Sequence, residues 1–119
     1  MLSETEPIWQ AWSGVEFDPA DPCFLDAGTV HIWELRSSGE WEHQLNTDER
    51  RRLAKMMNAE VRADYAATQA GLRRMLSLYR KEAPDEVKIQ RGPNGKPYVI
   101  GGPEFNLSHT RGGIFVAVS

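Results

Sequence analysis

Two asparagine caps and a long run of helical spacing constrain this chain more than any other feature. Asn46 precedes Glu49 by three residues, which is the spacing of a capping box, and basic residues follow one turn later. Asn58 offers a second cap, and Pro84 ends the pattern that follows it. Between them, side chains that suit a buried stripe recur at helical spacing: Val61, Tyr65, Thr68, Leu72, Met75 or Leu76, and Tyr79. The sequence therefore predicts a short helix followed by a long one.

On either side of these helices the pattern has a period of two, which is typical of strands. Thr29–Leu35 is rich in β-branched and aromatic residues, and residues 87–90 and 96–100 flank an Asn-Gly turn. Phe105–His109 and Ile114–Ser119 form a further strand pair around a Gly-Gly turn. A strand, two helices and then clustered short strands predict an α+β fold, with a small, mainly antiparallel sheet packed on a long helix.

Residues 1–28 are interrupted by proline and glycine too often for long regular elements. They nevertheless carry many large apolar side chains, namely Ile8, Trp9, Trp12, Val15, Phe17, Phe24 and Leu25. Because so much apolar area is costly to leave in water, we expect an irregular extension that packs on a body formed by residues 29–119. A chain of 119 residues is long enough for one such body with a single core.

The net charge of −3 hides a strong asymmetry along the chain. Residues 1–49 hold 11 acids against Arg36 alone, hence −10, whereas residues 50–119 hold 13 Lys and Arg against 6 acids, hence +7. The basic second half could attract a polyanionic ligand or an acidic protein, although charge runs are usually solvated helix faces. Nucleic acid is not an expected partner, because the first half is acidic and no nucleic-acid motif is present.

The sequence also predicts a cytoplasmic protein with no membrane partner. The single Cys23 cannot form an internal disulfide, and the first residues carry Glu4 and Glu6 where a secretory signal would be basic and then apolar. The longest apolar run, Ile114–Val118, is far too short to span a bilayer.

The segment Phe105-Asn106-Leu107-Ser108-His109-Thr110 follows Gly95-Lys96-Pro97-Tyr98 by a short loop and carries the most informative chemistry. Hydroxyl and imidazole groups donate hydrogen bonds and a lysine adds charge, so Lys96, Ser108 and His109 suit an oxyanion such as phosphate. Each feature alone is more often a local hydrogen-bond motif or a solvated strand end. A Ser/His hydrolase is disfavoured, because adjacent strand residues point to opposite faces and no positioned acid follows.

These residues resemble the Sfp-type 4′-phosphopantetheinyl transferases. That family typically carries a Gly-Lys-Pro motif, a Phe-Asn-(Leu/Ile)-Ser-His motif, and an apolar strand leading to a Gly-(Val/Ile)-Asp-(Ile/Leu)-Glu metal-binding motif. The resemblance covers residues 29–119 and implies the N-terminal half of a pseudo-dimeric fold of two α+β halves, with coenzyme A between them. It implies transfer of the 4′-phosphopantetheine arm of coenzyme A to a serine of an acidic apo carrier protein, with Mg²⁺ on the pyrophosphate.

Carried over residue by residue, the resemblance implies that Lys96, Ser108 and His109 contact the phosphates of coenzyme A. It also implies that Arg52 lies near the nucleotide phosphate. These four residues are the predicted coenzyme A-binding set.

Two acids depart from the family pattern. Glu49 and Asp64 stand where family members often have basic residues for the nucleotide phosphate. Three explanations are open: Arg50 and Arg62 take over, the nucleotide sits differently, or its 3′-phosphate is held less tightly.

The family's acidic metal cluster has no counterpart in this stretch, since residues 105–119 contain no Asp or Glu. We therefore expect neither a catalytic residue nor a metal ligand in this chain, with Mg²⁺ held by an absent C-terminal half. The chain alone is then expected to be inactive, because phosphoryl transfer depends on neutralising developing charge. We expect it to pair with that half or to self-associate through an exposed strand at Ile114–Val118. The alternative is a non-catalytic module that binds a carrier protein or a nucleotide.

Overall fold

The first helix begins at the predicted cap. The structure is a computed structural model that describes residues 9–13, 30–35, 39–110 and 113–119. In α1 (Thr47–Ala54), the side chain of Asn46 accepts from the backbone N–H of Glu49, and the Glu49 carboxylate accepts from the backbone N–H of Asn46, both at 2.9 Å. A cap of this kind contributes about 1 kcal/mol to stability.

The second helix begins at the second predicted cap. The side chain of Asn58 accepts from the backbone N–H groups of Glu60 and Val61. From there α2 (Ala59–Ala66) continues through a π-helical turn at Ala67–Gly71 into α3 (Leu72–Arg80), a helix of 22 residues in all. The long helix is confirmed, and the π-helical turn is a feature that the apolar spacing does not predict.

The described residues also form six strands: β1 (Trp9–Ser13), β2 (His31–Leu35), β3 (Gln90–Arg91), β4 (Pro97–Tyr98), β5 (Phe105–Thr110) and β6 (Gly113–Val118). Four of them form one antiparallel sheet in the order β1-β2-β6-β5, and β3 and β4 form a separate hairpin. The predicted α+β class, with a small antiparallel sheet and a long helix, is confirmed.

Strand β1 is an element that the sequence does not predict. It lies within the expected irregular extension, residues 1–28, and pairs with β2 from Trp9 opposite Leu35 to Ser13 opposite His31. The rest of that extension lies outside the described residues.

One face of the sheet packs on the helices and forms the core. His31, Trp33 and Leu35 of β2 are buried, and the alternate residues of β6 are buried beside them: Ile114, Val116 and Val118. The helices contribute side chains that are not β-branched, including Ala66, Ala67, Ala70, Met75 and Leu76. Gly71 permits a close approach of the long helix to Trp41, because a Cβ at this position would lie 3.3 Å from the indole ring.

The strand that we expected to be exposed is central instead. Strand β6 is paired with β2 on one side and with β5 on the other, so Ile114–Val118 offers no free edge. Its inward side chains are at most 1% exposed. A second chain therefore cannot pair with an edge of β6, and self-association or pairing with a second half stays a prediction.

The small hairpin is shorter than predicted. Only Gln90 with Tyr98 and Arg91 with Pro97 are paired, and Pro97 has no N–H with which to extend the ladder.

Among the described residues, none of the helices combines the length and the apolar character that crossing a membrane requires.

Candidate functional site

Lys96 lies on the turn of the small hairpin, at the rim of a cavity. Gly95 takes a left-handed conformation with φ of 80°, and the backbone N–H of Gly92 donates to the Lys96 carbonyl at 2.9 Å. The cavity has a volume of about 580 Å³ and lies between the hairpin and residues 101–106. The two motif segments of the sequence, around Lys96 and at the start of β5, thus line one cavity.

Ser108 and His109 lie beyond this cavity on β5, and their side chains point to opposite faces of the sheet. Ser108 is opposite Phe115 of β6, whereas His109 is opposite the buried Ile114 and so belongs to the face that packs on the helices. Both residues are exposed. A single ligand atom cannot be held by both side chains from the same side of the strand.

The imidazole of His109 is paired with an acid from α2. Its Nε2 lies 3.0 Å from a carboxylate oxygen of Asp64, and the two side chains are 55% and 34% exposed. Asp64 is one of the two acids that depart from the family pattern. The structure therefore places an acid directly on a residue that was predicted to bind phosphate.

Arg52 lies beside Tyr65, the residue that follows Asp64 in α2. The Tyr65 hydroxyl is enclosed and makes no hydrogen bond of good geometry within the described part of the chain. Burial, followed by the charge of Glu49, raises the pKa of Tyr65, and the guanidinium groups of Arg52 and Arg91 offset part of that rise. Arg52 and His109 thus flank consecutive residues of α2, Tyr65 and Asp64, although they come from α1 and β5.

Glu49, the second departing acid, forms a buried ion pair. Both of its oxygens accept from Arg73, at 2.7 and 2.9 Å, and the two side chains are each 11% exposed. Arg73 also donates to the carbonyl of Gln44 at 2.8 Å. A second cavity, of about 840 Å³, lies beside this pair between the helices and residues 84–90.

The two arginines that could replace the missing basic residues are held by local contacts. Arg50 donates to the carbonyl oxygens of Leu45 and His43. Arg62 donates to two carbonyl oxygens near the end of α1 and contacts Glu42 at 3.3 Å. These contacts hold both guanidinium groups against the ends of α1.

The four predicted coenzyme A-binding residues are therefore only partly brought together. Arg52 and His109 flank one turn of α2, Lys96 lines the hairpin cavity, and Ser108 points away on the outer face of the sheet. Neither cavity is lined by Arg52, Ser108 or His109.

Sequence reasoning missed the pairing of Asp64 with His109, which are 45 positions apart. It also missed the pairing of Glu49 with Arg73, 24 positions apart. The signal available in the sequence was the double departure from the family pattern, because a partly buried carboxylate needs a hydrogen-bond donor or a cation as its partner.

The described residues bring together no group of three or more His, Cys, Asp or Glu side chains that could hold a metal ion. In the comparisons with known proteins, no family model and no curated protein matches the chain.

Proposed function

We propose that this chain supplies the N-terminal, coenzyme A-contacting half of a 4′-phosphopantetheinyl transferase. The whole enzyme would move the 4′-phosphopantetheine arm to a serine of an acidic apo carrier protein in the cytoplasm. In this proposal the second half of a pseudo-dimeric fold holds Mg²⁺, which would neutralise charge on the pyrophosphate.

The observation that carries the proposal is the cavity shared by the two motif segments. Its volume of about 580 Å³ is within the usual range for small-molecule sites. Lys96 is exposed at its rim, where an ammonium group can meet a phosphate without being buried first. The basic second half of the chain adds a long-range attraction for polyanions.

The test is a calorimetric titration of coenzyme A against the wild-type chain, Lys96→Ala and a matched lysine variant, Lys88→Ala. Lys88 is an exposed lysine nearby in sequence that lines the other cavity. A charge-assisted contact to phosphate is worth about 1.5 kcal/mol or more, so Lys96→Ala should weaken binding about tenfold. Equal losses in the two variants, or no loss in either, would contradict the proposal.

A transfer assay complements the titration. With apo carrier protein, coenzyme A and Mg²⁺, we expect no phosphopantetheinylation by residues 1–119 alone, as measured by the mass of the carrier protein. Robust transfer would show that the metal site is not supplied by a second half.

A non-catalytic module that binds a carrier protein or a nucleotide is the second candidate. The pairing of both departing acids with Arg73 and His109 favours the carrier-protein form of this candidate, because those hydrogen-bond donors are then less available to a phosphate. Binding of an acidic carrier protein that neither needs nor responds to coenzyme A would support this candidate. Tight, salt-dependent binding of RNA or DNA would contradict both proposals.

A further inference from the structure

The contact between Asp64 and His109 fixes what the imidazole can offer to a ligand. An ionised carboxylate only accepts hydrogen bonds, so Nε2 of His109 carries the proton that is donated across the 3.0 Å contact. With its proton on Nε2, this N–H is the donor that the imidazole can offer to an anion. In the structure, a carboxylate of the protein itself already occupies it.

The surroundings make the contact accessible to a ligand. His109 is 55% and Asp64 34% exposed, so neither group is committed to the core. Other charges act at the same turn of α2, because Glu49 and Arg52 both influence the adjacent Tyr65. An incoming anion would therefore have to displace the Asp64 carboxylate or bind against its negative charge, and either raises the free energy of binding.

We propose that Asp64 is a specificity-determining residue that acts as an internal competitor of anions at His109. The ligand it weakens is any phosphate or diphosphate group that uses the Nε2–H. The identity of the physiological ligand as coenzyme A rests on the function proposed above, but the competition itself does not. Asp64 thus selects for ligands with no strong negative charge at this position.

The deciding experiment is an NMR titration with inorganic pyrophosphate, followed at the resonances of His109. Asp64→Asn keeps the shape of the side chain and removes its charge, and we expect it to tighten pyrophosphate binding about fivefold. Glu60→Gln is the matched control, since it removes the same charge from an exposed residue one turn earlier on α2. We expect Glu60→Gln to change the affinity by less than half as much.

A double variant separates competition at His109 from a general change in charge. In Asp64→Asn/His109→Gln, the gain should disappear, because no imidazole remains to be released. The proposal is overturned if Asp64→Asn leaves the affinity unchanged, if no variant binds pyrophosphate, if Glu60→Gln gives an equal gain, or if the gain persists without His109.

Two further arms identify the source of the phosphate and keep the competition apart from the proposed coenzyme A site. Coenzyme A and dephospho-coenzyme A both carry a diphosphate, but only the first carries a ribose 3′-phosphate. A gain for coenzyme A alone assigns His109 to the 3′-phosphate, and equal gains assign it to the diphosphate. A gain for pyrophosphate with none for either nucleotide supports the competition while contradicting a coenzyme A site here.

Discussion

Replacing Tyr79 with phenylalanine tests the polar cluster that joins the long helix to the sheet. The Tyr79 hydroxyl accepts a hydrogen bond from Nε1 of Trp33 at 2.7 Å and lies 2.6 Å from Nδ1 of His31. Trp33 is fully buried and His31 is 1% exposed. Burial raises the pKa of Tyr79 to about 12, so the hydroxyl is protonated at neutral pH and donates to His31.

The structure sets the magnitude of this effect. Tyr79→Phe removes two hydrogen bonds, each worth about 1 kcal/mol. Nδ1 of His31 and Nε1 of Trp33, both buried, then each have one hydrogen bond fewer. We therefore expect the free energy of unfolding to fall by roughly 2–4 kcal/mol. In a domain of this size, that corresponds to a decrease in melting temperature of roughly 8–16 °C.

The assay is urea unfolding followed by circular dichroism and by tryptophan fluorescence. Tyr98→Phe is the matched control, because the Tyr98 hydroxyl donates to Gln90 from a side chain that is 41% exposed. We expect that control to change stability by less than about 0.5 kcal/mol. If Tyr79→Phe were as stable as Tyr98→Phe, the hydroxyl would not hold the sheet to the helix.

Alkaline pH offers a second measurement on the same group. The Tyr79 hydroxyl has a higher pKa in the folded chain than the value of 10.0 expected when unfolded. Its contribution to stability is therefore complete below pH 10 and is lost as the pH rises toward about 12. We expect this loss to be smaller in Tyr79→Phe than in the native protein.

Two other predictions concern the ionisable groups of the core. Burial lowers the pKa of His31 below 6.5, so the unfolded chain takes up a proton before the folded chain does, and stability should fall as the pH drops below about 6.5. Urea unfolding between pH 7.5 and 5 should show this decrease in the free energy of unfolding. His31→Asn should reduce the decrease, whereas His43→Gln, at an exposed position, should not. Glu49→Gln leaves the guanidinium of Arg73 buried beside a neutral side chain, so urea unfolding should show a loss of roughly 3 kcal/mol, and a loss below 1 kcal/mol would contradict a structural role for the pair.

The helices could be predicted from the sequence because their signals are local. Asn46 and Asn58 cap helices through backbone groups two or three residues away, so the spacing in the sequence is enough to predict the contact. Strand β2 was also predictable, since residues 29–35 are rich in β-branched and aromatic side chains. The π-helical turn at Ala67–Gly71 was not, because it has no sequence signature comparable to a cap.

The strand order and the candidate site depend on distant pairings, which the spacing does not contain. Strand β1 lies in a segment interrupted by Pro7 and Gly14, and it is defined by its pairing with β2 about twenty residues later. The Asn-Gly signal predicted the hairpin, but it placed Lys96 at the start of the second strand, whereas the structure has Lys96 before β4. That Asp64 would meet His109 required α2 to approach β5, which no local pattern specifies.

The two departing acids have different consequences because their burial differs. The side chains of Glu49 and Arg73 are each 11% exposed and share two short contacts, so removing one partner destabilises the folded chain. Asp64 and His109 form an exposed pair, which contributes little to stability but faces any ligand that approaches. Measured together, Glu49→Gln should lower the free energy of unfolding without tightening pyrophosphate binding. Asp64→Asn should tighten pyrophosphate binding without lowering the free energy of unfolding. If both variants altered the same quantity, burial would not be what separates a structural acid from one that selects the ligand.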